Sequence, residues 1–185
     1  MRKLTMLIAA MVVLVGARAS VAQASVALVR GGAALATFER VSADGCQIVS
    51  GELAVLEAHT ASENANGLYV VGVQEDICLG TGSGFAGYAT GQFDVVGLLY
   101  ARFRGSLVAE SYSGGPPVTI ELDLHWLGTG QVVRERGFFR DESQIAFSFS
   151  ARRDAVTVGQ FDVDGEAMPL TSATLARETS GTVTF

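Results

Sequence analysis

The sequence predicts an all-β fold, an antiparallel β-sandwich, with a closed eight-stranded β-barrel as the alternative. Three observations predict it. Val118 to Trp126 alternates apolar and polar residues without a break, turn-forming residues punctuate the chain at short intervals, and no segment carries a helical period. The abundance of Val, Thr, Phe and Gly also weighs against helices.

The elements follow in order. Arg2 and Lys3 precede an uncharged, mostly apolar block from Met6 to Gly16, and small residues then stand at Ala22-Gln23-Ala24. That pattern is a secretory signal peptide, residues 1–24, cleaved before Ser25, and its apolar block is too short to span a bilayer as a helix. Residues 25–185 then form a single all-β domain. Strands are expected at Ala34–Val41, Gln47–Ala58, Leu68–Cys78, Gly84–Ala89, Leu99–Leu107, Val118–Trp126, Ile145–Ala151, Ala155–Val163 and Gly181–Phe185. Turns are expected at Asp44-Gly45, Asn64-Ala65-Asn66-Gly67, Gly114-Gly115-Pro116-Pro117 and Asp164-Gly165. The pentapeptide Gly91-Gln92-Phe93-Asp94-Val95 recurs as Gly159-Gln160-Phe161-Asp162-Val163; the flanks match poorly, which leaves two equivalent strands or coincidence open and does not make a repeat protein.

Composition narrows the functional classes. Of thirteen basic residues the leader takes three and of nineteen acidic residues none, leaving ten against nineteen and a net charge of −9. Nucleic acid is therefore not an expected partner, because phosphate binding requires an attractive field or a concentrated basic face. The one lysine, Lys3, lies in the leader, which excludes lysine chemistry from the mature chain. Cys46 and Cys78 are expected to form a disulfide in an oxidising compartment, periplasmic or extracellular. Closing a loop of about 30 residues would contribute roughly 3–4 kcal/mol on the chain-entropy model. Two lone cysteines are not a metal site, and no metal or cofactor is expected.

The best polar constellation is Glu121, Asp123 and His125, which a strand projects from one face, with Val118, Ile120, Leu122, Leu124 and Trp126 on the other. Three residues in line on one strand cannot converge on a metal. Arg102 and Arg104 are expected on the same face of the preceding strand, opposing these carboxylates as cross-strand pairs. That arrangement holds carboxylate pKa values low and argues against proton donation. His59 and His125 are the two imidazoles available, and neither accompanies a nucleophile elbow. The glycine-dense run Gly80, Gly82, Gly84, Gly87 and Gly91 lacks the lysine of a phosphate loop and is expected to permit curvature. Asp162 to Glu166 reads as a turn rather than a calcium loop, and Arg134, Arg136, Arg140, Arg152 and Arg153 are interleaved with acids as a mixed surface.

These observations lead to a non-catalytic, secreted binding domain. Its partner is a glycan, a protein or a cell-envelope component, engaged through loops such as Thr60–Gly67 and Ser111–Pro117. One alternative is a small outer-membrane barrel, suggested by the terminal Gly181-Thr182-Val183-Thr184-Phe185, in which Trp126 and its row face lipid and Glu121, Asp123 and His125 line the lumen. The other is a small secreted hydrolase or metal-dependent enzyme.

Overall fold

The computed structural model describes residues 26–59, 64–112, 115–140 and 145–184. The expected signal peptide, Met1 to Ala24, lies outside the described residues. The strands are β1 (Val26–Val41), β2 (Gln47–His59), β3 (Asn64–Asp76), β4 (Thr81–Thr90), β5 (Gln92–Val96) and β6 (Tyr100–Ser111). They continue as β7 (Val118–Gly128), β8 (Gly137–Arg140), β9 (Ile145–Phe149), β10 (Ala151–Val163), β11 (Glu166–Ala167) and β12 (Leu170–Thr184).

Every pairing is antiparallel, and eight strands close into a ring in the order β10, β7, β6, β4, β3, β2, β1, β12 and back to β10. The ring is not evenly round. β4 meets β6 through Phe85↔Ser111 and Ala86↔Glu110, and β10 meets β12 through the short run from Ala151↔Arg177 to Asp154↔Thr174. Between these two narrow corners lie two broad layers, one of β1–β4 and β12, the other of β6, β7 and β10 with β5 added beside β6. Sandwich and closed barrel, the two expected forms, meet in this flattened ring.

Alternation decides what fills it. The inward-facing residues Ile120, Leu122, Leu124 and Trp126 of β7 meet Phe38, Leu53, Val55, Val70 and Phe85 from the opposite layer in one apolar cluster. Trp126 is fully buried, and its indole N–H donates to the Leu35 carbonyl 3.0 Å away on β1, tying the two layers together. Phe38 and Phe161 meet edge to face at 4.9 Å. At the β4–β6 corner a Cβ on Gly87 would stand 2.5 Å from a Leu107 methyl and 2.9 Å from the Ala109 Cα. The glycine-dense run thus allows the strands to crowd where the ring bends. Asp164 and Gly165, both with positive φ (53° and 78°), make the tight turn from β10 to β11, as a primed hairpin turn requires.

The structure corrects several expectations. Asn64 to Gly67 is strand rather than turn, pairing His59↔Asn64 through Leu56↔Gly67, and the connection falls on residues 60–63, outside the described residues. Gly67 is there for packing: the Tyr88 ring occupies the space where a Cβ would stand. β12 begins at Leu170, not Gly181, because its first half uses small residues (Ala173, Ala176) around Leu175 and shows weak alternation. The segment Ile145–Ala151 is broken by a bend at Ser150. β8 and β11 are absent from the expected strands, being too short at four and two residues for period to register, and β5 falls on the first copy of the pentapeptide, where equivalent strands are one of the two open readings. Trp126 and its row point inward and Glu121, Asp123 and His125 outward, the reverse of the outer-membrane expectation.

Cys46 and Cys78 lie at disulfide distance, with sulfurs 2.04 Å and Cα atoms 5.2 Å apart. They join the β1–β2 turn to the β3–β4 turn, and the Ile77 N–H donates to the Cys46 carbonyl at 2.8 Å beside them. Such a pair suits an oxidising environment outside the cytoplasm.

Candidate functional site

Two polar arrangements stand out, one at the ring's end and one on its flank. The first arises where inward-facing positions change character. Along β1 the inward side runs Ala34, Ala36, Phe38 and then Arg40; along β2, from Leu53 through Val49 to Gln47. On β3 it passes from Val70 to Gln74 and Asp76, and on β4 from Phe85 to Ser83 and Thr81. The register sets Gln47 opposite Asp76, Gln74 opposite Ser83, and Asp76 opposite Thr81, so these groups share the inner face. The result is a mouth of about 550 Å³, floored by the buried Val49, Val163 and Met168.

The β10–β11 hairpin supplies one wall. Glu166 forms an ion pair with Arg40, and the Asp164 carboxylate accepts the Thr119 N–H at 2.7 Å. On the other wall Asp76 accepts the Leu79 N–H at 2.8 Å. The cysteine pair borders this rim, since Cys46 directly precedes Gln47 and Cys78 follows Asp76 by two residues. Gly115, from the loop expected to carry binding, also reaches the mouth. Arg40, Gln47, Gln74, Asp76, Thr81 and Ser83 do not stand out in the sequence, because each is unremarkable alone. The available signal was polar residues at inward parity next to the two cysteines.

The second arrangement gathers the residues singled out from sequence. β6 and β7 pair so that Arg102 opposes His125, Arg104 opposes Asp123, and Ser106 opposes Glu121. Arg102 binds the Asp123 carboxylate through Nε (3.1 Å) and Nη2 (3.0 Å to each oxygen). Arg104 Nε and His125 Nε2 lie 3.9 and 3.8 Å from the same carboxylate, and the Tyr100 hydroxyl is 3.0 Å from His125 Nδ1. Hydrogen bonding from Arg102 holds the Asp123 carboxyl below the ordinary value against an opposing desolvation cost, and the charges of Arg102, Arg104 and His125 lower it further. A carboxylate so held accepts charge-assisted hydrogen bonds and is a poor proton donor. Beside it a shallow hollow of about 440 Å³ is lined by Arg104, Ser106, Glu121, Asp123 and Gln160.

The remaining candidates are dispersed. His59 ends β2, and its side chain lies outside the described residues, as does that of Arg140. Arg152 pairs with Glu135, and Arg153 donates to the Thr129 and Gly130 carbonyls at 3.2 and 3.1 Å, so these two arginines are engaged by local partners. Among the described residues no three His, Cys, Asp or Glu side chains gather as a metal site. The pentapeptide echo has a spatial counterpart: its copies lie on either side of the β6–β7 pair, each burying its phenylalanine, Phe93 or Phe161.

No family model matches the chain, and no curated protein matches it. A solved structure from Nitrosomonas europaea, a protein provisionally named AttH, is similar with a TM-score of 0.37 and 16% identity, over 82% of this chain. The chain spans about half (52%) of that protein's length. At that likeness neither fold nor activity passes from one protein to the other.

Proposed function

We propose that the chain is an exported, non-catalytic binding domain whose ligand enters the mouth of the strand ring. One observation carries this reading: inward-facing positions change from apolar to hydrogen-bonding side chains at one end, around a concavity of about 550 Å³. Mouths of closed sheets are common ligand sites, and this volume falls in the usual range of roughly 300–1,000 Å³ for small-molecule pockets. The leader-like residues 1–24 and the cysteine pair support export. The outward Arg102–Asp123 ladder supports a solvated flank over an outer-membrane barrel, whose outside would be apolar.

The test is a thermal-shift screen of the exported protein against soluble small molecules, repeated with Gln74→Ala and Arg102→Ala. Stabilising ligands lost in Gln74→Ala and kept in Arg102→Ala support the mouth. Ligands lost in Arg102→Ala alone move the site to the flank. Substrate turnover that falls more than about a hundredfold in His125→Ala, the scale of general-base removal, replaces the binding reading with an enzyme. N-terminal sequencing of exported material should begin at Ser25.

A further inference from the structure

The mouth's chemistry selects among ligand classes, on the reading that the mouth is the binding site. Among the described residues, Asp76, Asp164 and Glu166 bring carboxylates to its lining, against the cation Arg40, which is already paired with Glu166. An anionic ligand would meet net repulsion there. A polyamine or other cation could use the carboxylates, but it brings donors only and would leave donors of the site unanswered. Gln47 and Gln74 each present an amide that both donates and accepts, and Thr81 and Ser83 each present a hydroxyl that does both.

We infer that the mouth takes a neutral, polyhydroxylated ligand, a short glycan or free sugar. A hydroxyl gives one hydrogen bond and accepts others, so adjacent hydroxyls can answer a carboxylate and an amide together. Register places such mixed pairs side by side, Gln47 with Asp76 and Gln74 with Ser83, across adjacent strands. The floor of Val49, Val163 and Met168 offers apolar contact to the C–H faces of a ring. Among the described residues that line the mouth none is aromatic, so recognition rests on solvated hydrogen bonds, each of modest net value, and the affinity is weak.

The experiment is a titration of the isotopically labelled full-length mature protein, followed by two-dimensional NMR of backbone and glutamine side-chain amides. The probes are three neutral disaccharides (maltose, cellobiose and chitobiose), with spermidine as the cation and citrate as the anion. At least one disaccharide should shift the Gln47 and Gln74 side-chain amides and the Gly82 backbone amide in a saturable way. Gln74→Ala should weaken that binding at least tenfold, and Gln160→Ala, on the flank, should leave it unchanged. Mouth signals that answer spermidine or citrate but no disaccharide overturn the ligand class while keeping the mouth as a site. Disaccharide shifts confined to the flank around Arg104 and Gln160 overturn both readings, and no disaccharide response anywhere overturns this one.

Discussion

The two outer faces of the ring differ sharply in character. Outside β6, β7 and β10 stand Arg102, Arg104, Glu121, Asp123 and His125, with Val156 and Val158 half exposed among them. Outside β1, β2 and β3 stand Ala33, Ala54, Leu56 and Tyr69, which join Ala176 in a second buried apolar cluster with Leu35, Val71, Tyr88 and Phe149 packed against it. The contrast lies in the strand sequences. β7 alternates strictly, so one side is core and the other meets water. β2 and β3 contain unbroken apolar stretches, Leu53-Ala54-Val55-Leu56 and Leu68-Tyr69-Val70-Val71, so both sides are covered. The layer of β1–β3 is thus buried on both faces, whereas that of β6, β7 and β10 has one face in water.

The largest effect should come from the group that joins the layers. Trp126→Ala removes a fully buried indole together with its hydrogen bond to the Leu35 carbonyl. Urea unfolding should show a loss of about 3–5 kcal/mol, the usual range for a large buried aromatic. A loss below about 1 kcal/mol would mean that the two layers do not share a core.

A matched pair then tests the faces directly. Leu56 and Val158 both point outward from the ring, yet Leu56 is 2% exposed and Val158 51%. Leu56→Ala should cost about 2–5 kcal/mol as a core truncation, whereas Val158→Ala should stay within about 0.5 kcal/mol as a surface change. Similar losses at the two positions would erase the distinction between the faces.

How much of this was legible follows from the same contrast. Where period two is strict, as in β7, the sequence alone carries strand, face and burial. The opposition of Arg102 and Arg104 to the β7 acids was also readable as a face, but register was not. Only the pairing shows Arg104 opposite Asp123 while Arg102 reaches diagonally to it. The mouth was less legible still. Arg40, Gln47, Gln74 and Ser83 lie far apart in sequence, and ring closure alone brings them to one end. The loop expected at Asn64–Gly67 failed for a related reason: its asparagines and glycine look like a turn, but neighbours across the sheet claim them for a strand.

The smallest effect is expected on the charged flank, and its pH dependence identifies the cause. Asp123 is more than one-third exposed, so solvent screens its pairing with Arg102, and Asp123→Asn should cost no more than an ordinary surface substitution. Because its folded-state pKa is lowered, first by the Arg102 hydrogen bond, ionised Asp123 stabilises the fold above its unfolded value, about 3.9. That contribution is lost as pH falls through the lower folded value. The stability gap between wild type and Asp123→Asn, measured by urea unfolding, should therefore be constant from pH 7 to 5 and close below about pH 4. Salt should narrow it at neutral pH, because the pair is solvent-exposed. A gap that persists at acid pH and ignores salt would mean that Asp123 acts through packing or neutral hydrogen bonding, and the flank would then resemble the covered face rather than oppose it.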